Sequence, residues 1–285
     1  MTLLDRRASR WRFIRRHRGF TLAEAIVVIV IVGIIAAAVA VFVRAPVQGY
    51  LDTASRARLA DAADTALRRV VRDLRAALPN SVRTMAPCGA ATACLEFIPV
   101  GTGGRYRAEK NVAADDPLDF TTNDGSFDVL GPQVTIPAGS WLVVYNLGIS
   151  GADAYEGGAN PTATTQNRRT ATAAASTSNV SFNPVRLPFD SPAKRFHITA
   201  QPVTYVCDLG GGQLSRRWDY GFNAAQANPV GGSSALLADQ VTGCSFNYTA
   251  QAVAARAGTV LISLQLTSNG ETVSLAVQAH VSNVP

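Results

Sequence analysis

The chain has 285 residues, 47% of them hydrophobic, which leaves room for one or two domains and excludes a wholly disordered polymer. Its net charge of +6 invites a nucleic-acid reading, but seven arginines (Arg6, Arg7, Arg10, Arg12, Arg15, Arg16, Arg18) and a single acid, Asp5, fall within residues 1–19. The rest keeps 26 less 7 basic and 20 less 1 acidic side chains, 19 of each, so it is neutral and no nucleic-acid partner is expected.

Next in chain order comes an apolar run. From Ala25 to Val43 there are nineteen residues without a charge, enough at 1.5 Å per residue to cross most of a bilayer core of about 30 Å. Basic side chains flanking such a span stay on the cytoplasmic side, which places the C-terminal bulk outside, in the periplasm. An ordinary secretory signal has a shorter apolar region ended by a small-residue cleavage site; here the small residues Ala36, Ala37 and Ala38 lie inside the run. Glu24 stands at the head of the span. Thirteen Ile, Val and Phe side chains contribute about 4–8 kcal/mol of insertion free energy, against about 2.5–3.5 kcal/mol for one charge at mid-span. Insertion therefore wins, and the carboxylate is left needing a partner. Cleavage after Gly19 supplies one, because the new amino group of Phe20 lies four residues before Glu24 on the same helical face, and between staggered subunits it can meet a neighbour's carboxylate. The plainer alternative is a single-pass protein whose Glu24 sits at the membrane interface.

Gly19, Phe20, Thr21, Leu22, Ala23 and Glu24, followed by a long apolar helix, resemble the signature of type IV prepilins. The resemblance implies a membrane prepilin peptidase that cuts between Gly19 and Phe20 and N-methylates Phe20. It also implies that Glu24 pairs with a neighbouring subunit's N-terminal amine during assembly. Gly33 falls where many members have glycine. Many major pilins have a proline near the position of Val41; here the first proline is Pro46.

After Pro46, which can bend a helix, the apolar positions Val47, Tyr50, Leu51, Ala54, Leu59, Ala62, Ala66, Val70, Leu74 and Leu78 recur every three or four residues. Arg68, Arg69, Arg72 and Arg75 fall mostly on another face, interspersed with Asp61, Asp64 and Asp73, and read as a solvated face rather than a nucleic-acid patch. The pattern predicts a helix from Thr21 to Leu78, roughly 85 Å long if unbroken, ended by Pro79 and Asn80.

Beyond residue 80, short β-branched and aromatic runs alternate with Gly, Pro, Asn and Ser clusters, which read as strands and turns. Val260, Ile262, Leu264 and Leu266 alternate with Leu261, Ser263, Gln265 and Thr267 and, across Ser268-Asn269-Gly270, Val273, Leu275, Val277 and Val281 alternate again, predicting a hairpin. A second hairpin is expected from Val203–Cys207 and Leu214–Trp218 across Gly210–Gly212, with further strands at Trp141–Tyr145 and Arg195–Thr199. Residues 150–181, rich in Ala, Thr, Ser, Asn and Gly, are expected to form a mobile surface insertion. The fold class is α+β, type IV pilin-like: a long N-terminal helix packed on an antiparallel sheet. The expected parts are a cleaved leader (1–19), a transmembrane and assembly helix (20–46), an amphipathic helix (47–79) and a β-rich head (80–285).

Four cysteines in a segment that leaves the cytoplasm suit two disulfides. Of three connectivities, neighbour pairing, Cys88 with Cys94 and Cys207 with Cys244, is the expected one; a four-thiolate zinc site lacks any CxxC pair. Three histidines, His17, His197 and His280, suggest no catalytic set, and no enzymatic activity is expected. Gly101–Gly104 lacks the Lys-Ser or Lys-Thr of a phosphate loop. No cofactor is expected; Asp115, Asp116, Asp119, Asn123, Asp124, Gly125 and Asp128 offer oxygen ligands to calcium but not at helix-loop-helix spacing, and a plain polar loop is the preferred reading.

A narrower resemblance lies in the C-terminal half. Arg195-Phe196-His197-Ile198, Val203 to Cys207, Gly243 to Phe246 and the ending His280 to Pro285 are similar to O-type minor pilins of the mannose-sensitive haemagglutinin pilus system, with J-type pseudopilins of type II secretion as the alternative. Either implies a subunit of a priming or tip complex, partnered by other pilins and an inner-membrane assembly platform, in the inner membrane and then at the cell surface. Rival functions are a tip adhesin and a membrane-tethered periplasmic enzyme, for which no constellation of residues exists.

Overall fold

The structure, a computed structural model, describes residues 19–159, 161–226, 231–249 and 257–285. The expected leader, with its seven arginines and His17, lies outside the described residues apart from Gly19. The chain divides into two compact units, Met1–Thr53 and Ala54–Pro285.

One helix, α1 (Leu22–Arg75), contributes residues to both units and is assigned through Pro46. Within the first unit every Ile, Val, Leu and Phe from Phe20 to Leu51 is exposed. The run is long and apolar enough to cross a membrane by length and composition, and an α-helix is the form that keeps its backbone groups satisfied in lipid. Within the second unit the residues of α1 turn amphipathic. Leu59, Ala63, Ala66, Leu67, Val70 and Leu74 are buried, at the 3-4 spacing that one helical face demands. The helix ends at Arg75, three residues before the expected Leu78. The amides of Ala76 and Ala77 bond to the carbonyls three residues back, of Asp73 and Leu74 (both 3.1 Å), which tightens the last turn. The amide of Leu78 then leaves the helix for the carbonyl of Ile98 at 2.8 Å.

Sixteen strands are described in the second unit. They begin with β1 (Arg83–Met85), β2 (Ala93–Phe97), β3 (Val100–Tyr106), β4 (Ser126–Leu130), β5 (Val134–Ile136) and β6 (Trp141–Val144). Next come β7 (Arg168–Thr170), β8 (Ala174–Thr177), β9 (Asn179–Ser181), β10 (Arg195–Thr199) and β11 (Val203–Asp208). The last are β12 (Gln213–Trp218), β13 (Ser233–Ala238), β14 (Val241–Thr249), β15 (Ala257–Ser268) and β16 (Glu271–Ser282). They form sheets ordered β1-β2-β11-β12-β13, β7-β6-β10-β3-β4-β9, β14-β15-β16 and β5-β8. Every pairing is antiparallel, as the α+β expectation requires.

Both hairpins form where expected. Asn269 (φ 51°) and Gly270 (φ 83°) close the β15–β16 turn in the left-handed region that a two-residue hairpin needs. Val260, Ile262, Leu264 and Leu266 of β15 point inward and are buried with α1 residues Leu59 to Leu74 and with Leu95, Phe97, Tyr205 and Leu214 of the five-stranded sheet. A second core fills the six-stranded sheet, where Tyr106, Phe127, Leu142, Val144, Phe196 and Ile198 meet. Cys88 is bonded to Cys94, and Cys207 on β11 to Cys244 on β14, so the second bridge joins two sheets.

Residues 150–181 correct the expectation of a mobile surface insertion. The stretch supplies β7, β8 and β9, and Ala152, Ala154, Tyr155, Arg168, Arg169, Ala171 and Val180 within it are buried. The composition misleads because two arginines do the work of large apolar side chains. Arg168 donates from Nε to the carbonyl of Ala154 (2.8 Å) and from Nη2 to those of Glu156 (3.1 Å) and Gly158, while its guanidinium lies 3.5 Å over the Phe222 ring. Arg169 donates to the carbonyls of Arg168, Val185, Arg186 and Ala163. Burial lowers the Arg168 pKa to about 9 and that of Arg169 to about 10.

Candidate functional site

The N-terminal segment is built on a helix start. Gly19, Phe20 and Thr21 precede α1, and all three are exposed. The Thr21 hydroxyl accepts from the Glu24 amide at 3.3 Å, and the Thr21 carbonyl from the Ala25 amide at 3.1 Å. Thr21 is therefore the N-cap, and its spacing to Glu24 is that of the Thr-x-x-Glu capping box. That signal was readable in the sequence but is missed when Glu24 is considered only as a charge in lipid. The cap leaves the Gly19–Phe20 peptide outside the helix, just ahead of the first turn. A Cβ added at Gly19 would meet nothing within 4 Å, so the glycine is not required by packing inside this chain.

Glu24 is exposed and falls in the first helical turn. Its carboxylate sits near the positive end of the helix dipole, and the next eighteen residues after Ala25 carry no charge at all. Gly33 also meets nothing within 4 Å, so the first unit itself gives no packing reason for that glycine. An apolar helix unburied on all sides has its packing partners outside its own fold: acyl chains or other helices.

Asp73 and Glu96 in the second unit are held by structural partners. Asp73 at the end of α1 accepts from Tyr205 Oη at 2.8 Å and from Arg216 Nε at 3.0 Å, tying the helix to β11 and β12. Glu96 on β2 is buried, which raises its pKa, while Arg83 (2.7 Å) and Tyr220 Oη (2.8 Å) oppose that shift. His197 on β10 is pushed down to about 4 by burial, with Arg195 adding to the effect. His280 on β16 is exposed.

The acidic loop closes on itself. Arg107 pairs with Asp115 and Asp128, both at 3.2 Å. Asp119 accepts from the Thr121 amide and hydroxyl (both 2.6 Å) and from the Thr122 hydroxyl (2.7 Å), which holds its pKa at about 2. Asp116 accepts from Ser126 Oγ and Asn179 Nδ2. Among the described residues no group of three or more His, Cys, Asp or Glu is placed to hold a metal ion.

Residues 14–40 match the family model described as the prokaryotic N-terminal methylation motif, a span that contains Gly19, Phe20, Glu24 and most of the apolar run. The match supports a type IV pilin-like or pseudopilin precursor, a structural class of protein that is processed by a prepilin peptidase and assembles with other pilins. Among curated proteins and among solved structures, none matches the chain.

Proposed function

We propose that the chain is a minor pilin, made as a precursor in the inner membrane, cut between Gly19 and Phe20, N-methylated on Phe20, and added through α1 to the priming or tip complex of a type IV pilus. The observation that carries this reading is the first unit's helix: apolar and exposed from Ile26 to Val43, with Glu24 as its one charge before Arg44, and overlapped through residue 40 by the matched methylation motif. Cleavage turns the exposed segment before Thr21 into a free amine at the helix start. A neighbour's Glu24 then has a cation to meet, and a carboxylate that is costly in lipid becomes one half of a pair that sets the register between subunits.

The basic leader holds the N-terminus in the cytoplasm and delivers the second unit to the periplasm, where Cys88–Cys94 and Cys207–Cys244 are able to form and persist. Within the class, the C-terminal similarity to O-type minor pilins of the mannose-sensitive haemagglutinin system favours that pilus over type II secretion. The other pilins and the assembly platform are its partners.

Mass spectrometry of the mature N-terminus tests the proposal. The expected result is a polypeptide that begins at N-methylated Phe20; a native chain that still carries residues 1–19, or one trimmed at Ala36 to Ala38, overturns it.

A further inference from the structure

The three-stranded sheet β14-β15-β16 ends in an open edge, because β15 is the one strand neighbour of β16 among the described residues. That edge is unusually long and regular. β16 has twelve residues, against a common strand length of about 5–6, and pairs with β15 from Ser268↔Glu271 to Ala257↔Ser282 without a shift of register. Folded proteins ordinarily blunt such an edge with lysine, proline or a bulge. β16 has none of these. Its one acidic residue, Glu271, is at the turn and pairs with Arg56.

The turn determines which backbone groups face outward. A two-residue turn closes on the hydrogen-bonded pair Ser268↔Glu271, so every second residue from there bonds to β15. The residues between, Thr272, Ser274, Ala276, Gln278, His280 and Ser282, direct their amides and carbonyls away from β15. The register on the other side of β15 agrees, since the Thr267 amide, opposite Thr272, reaches the Gln240 carbonyl at 2.9 Å instead of β16. All six outward residues are exposed.

Beside this edge runs a groove of about 510 Å³. Leu67 and Val71 of α1 and Leu275 and Val277 of β16 provide apolar walls, and Arg68, Arg72 and Arg75 form a cationic rim. Asp64 pairs with Arg68, leaving the rim with a net positive charge. The same arginines argue against a second copy of the chain as occupant, since antiparallel pairing of two β16 edges would bring two cationic rims toward each other.

We propose that β16 receives, by strand addition, an extended segment of another polypeptide that carries acidic side chains on the face turned toward Arg68, Arg72 and Arg75. The backbone of β16 supplies the affinity and the arginine rim the choice of partner. This inference does not rest on the filament reading and holds or fails separately from it.

The test uses the full chain in detergent micelles and an eight-residue peptide whose inward positions alternate glutamate and valine, the others being serine and threonine. A counterpart has lysine in place of glutamate. The acidic peptide is expected to bind at least tenfold more tightly than its lysine counterpart, and to slow hydrogen exchange at Thr272, Ser274, Ala276 and Gln278. Ala276→Pro adds a ring at the edge without removing a bond to β15 and should abolish binding; Arg72→Glu with Arg75→Glu should reverse the peptide preference. Equal binding of the two peptides, or no protection of those four amides in the native chain, overturns the proposal. So does self-association of the native chain that Ala276→Pro removes, which would make a second copy the occupant.

Discussion

Two stretches of α1 make opposite use of the same secondary structure. From Ile26 to Val43 the helix exposes Ile, Val and Phe on every side; from Leu59 to Arg75 it buries one face and presents Arg68, Arg72 and Arg75 on another. The second stretch finds its partners inside its own chain, in β15 and the five-stranded sheet. The first exposes its apolar side chains, and lipid or other helices are the surroundings that such a surface favours. A residue of one stretch should therefore answer to folding, and a residue of the other to insertion and assembly.

The largest effect is expected at the proposed cleavage point. Gly19→Trp should leave the chain as an unprocessed precursor in the inner membrane, seen as a larger band on immunoblots; normal processing would defeat the cleavage proposal. Glu24→Leu comes next and acts on the first stretch alone: insertion and the stability of the second unit should be unchanged while subunit incorporation into filaments falls severalfold. Unchanged piliation would count against the pairing account.

The comparison sharpens with paired truncations. Leu74→Ala removes buried side-chain volume and should destabilise the second unit by about 2–5 kcal/mol in denaturant titrations. Ile29→Ala should shift the same transition by less than about 0.5 kcal/mol. Similar losses at both positions would mean that the two stretches are not energetically distinct.

A smaller effect is expected with pH. His197 has a pKa of about 4 in the folded chain and about 6.5 unfolded. Between those values the unfolded chain holds a proton that the folded chain lacks, so this residue's contribution costs stability as pH falls from about 6.5 to about 4. The full difference is on the order of 3 kcal/mol. Burial raises the pKa of Glu96 and Asp153, which act in the opposite direction, so the informative quantity is the difference between native and His197→Gln melting profiles. Parallel profiles would show that His197 is not titrating as a buried base.

Much of the architecture was legible before any coordinates. The apolar run, the 3-4 spacing from Leu59 to Leu74, the alternation from Val260 to Leu266 and the Asn269-Gly270 turn are local signals, each resolved within a few residues of itself. Gly19, Phe20 and Glu24 stand out in the sequence as the candidate N-terminal site and fall within the matched motif, and the structure adds Thr21 as the helix cap. Residues 150–181 failed as a prediction because a composition rule counts arginine as surface, whereas Arg168 and Arg169 are buried, bonded to carbonyls of the same stretch and of Val185 and Arg186, with the Phe222 ring against Arg168.

The sequence by itself determined the apolar run, the amphipathic stretch of α1, the two hairpins and the concentration of positive charge at the N-terminus, because these follow from neighbouring residues. Only the tertiary structure decided which strands lie at sheet edges, that two arginines are interior and that Asp73 ties α1 to β11 and β12. Asp73 meets Tyr205 and Arg216 from more than a hundred residues away and Arg168 lies against the remote Phe222 ring, and no local pattern encodes which of the available partners a strand or a buried charge will meet.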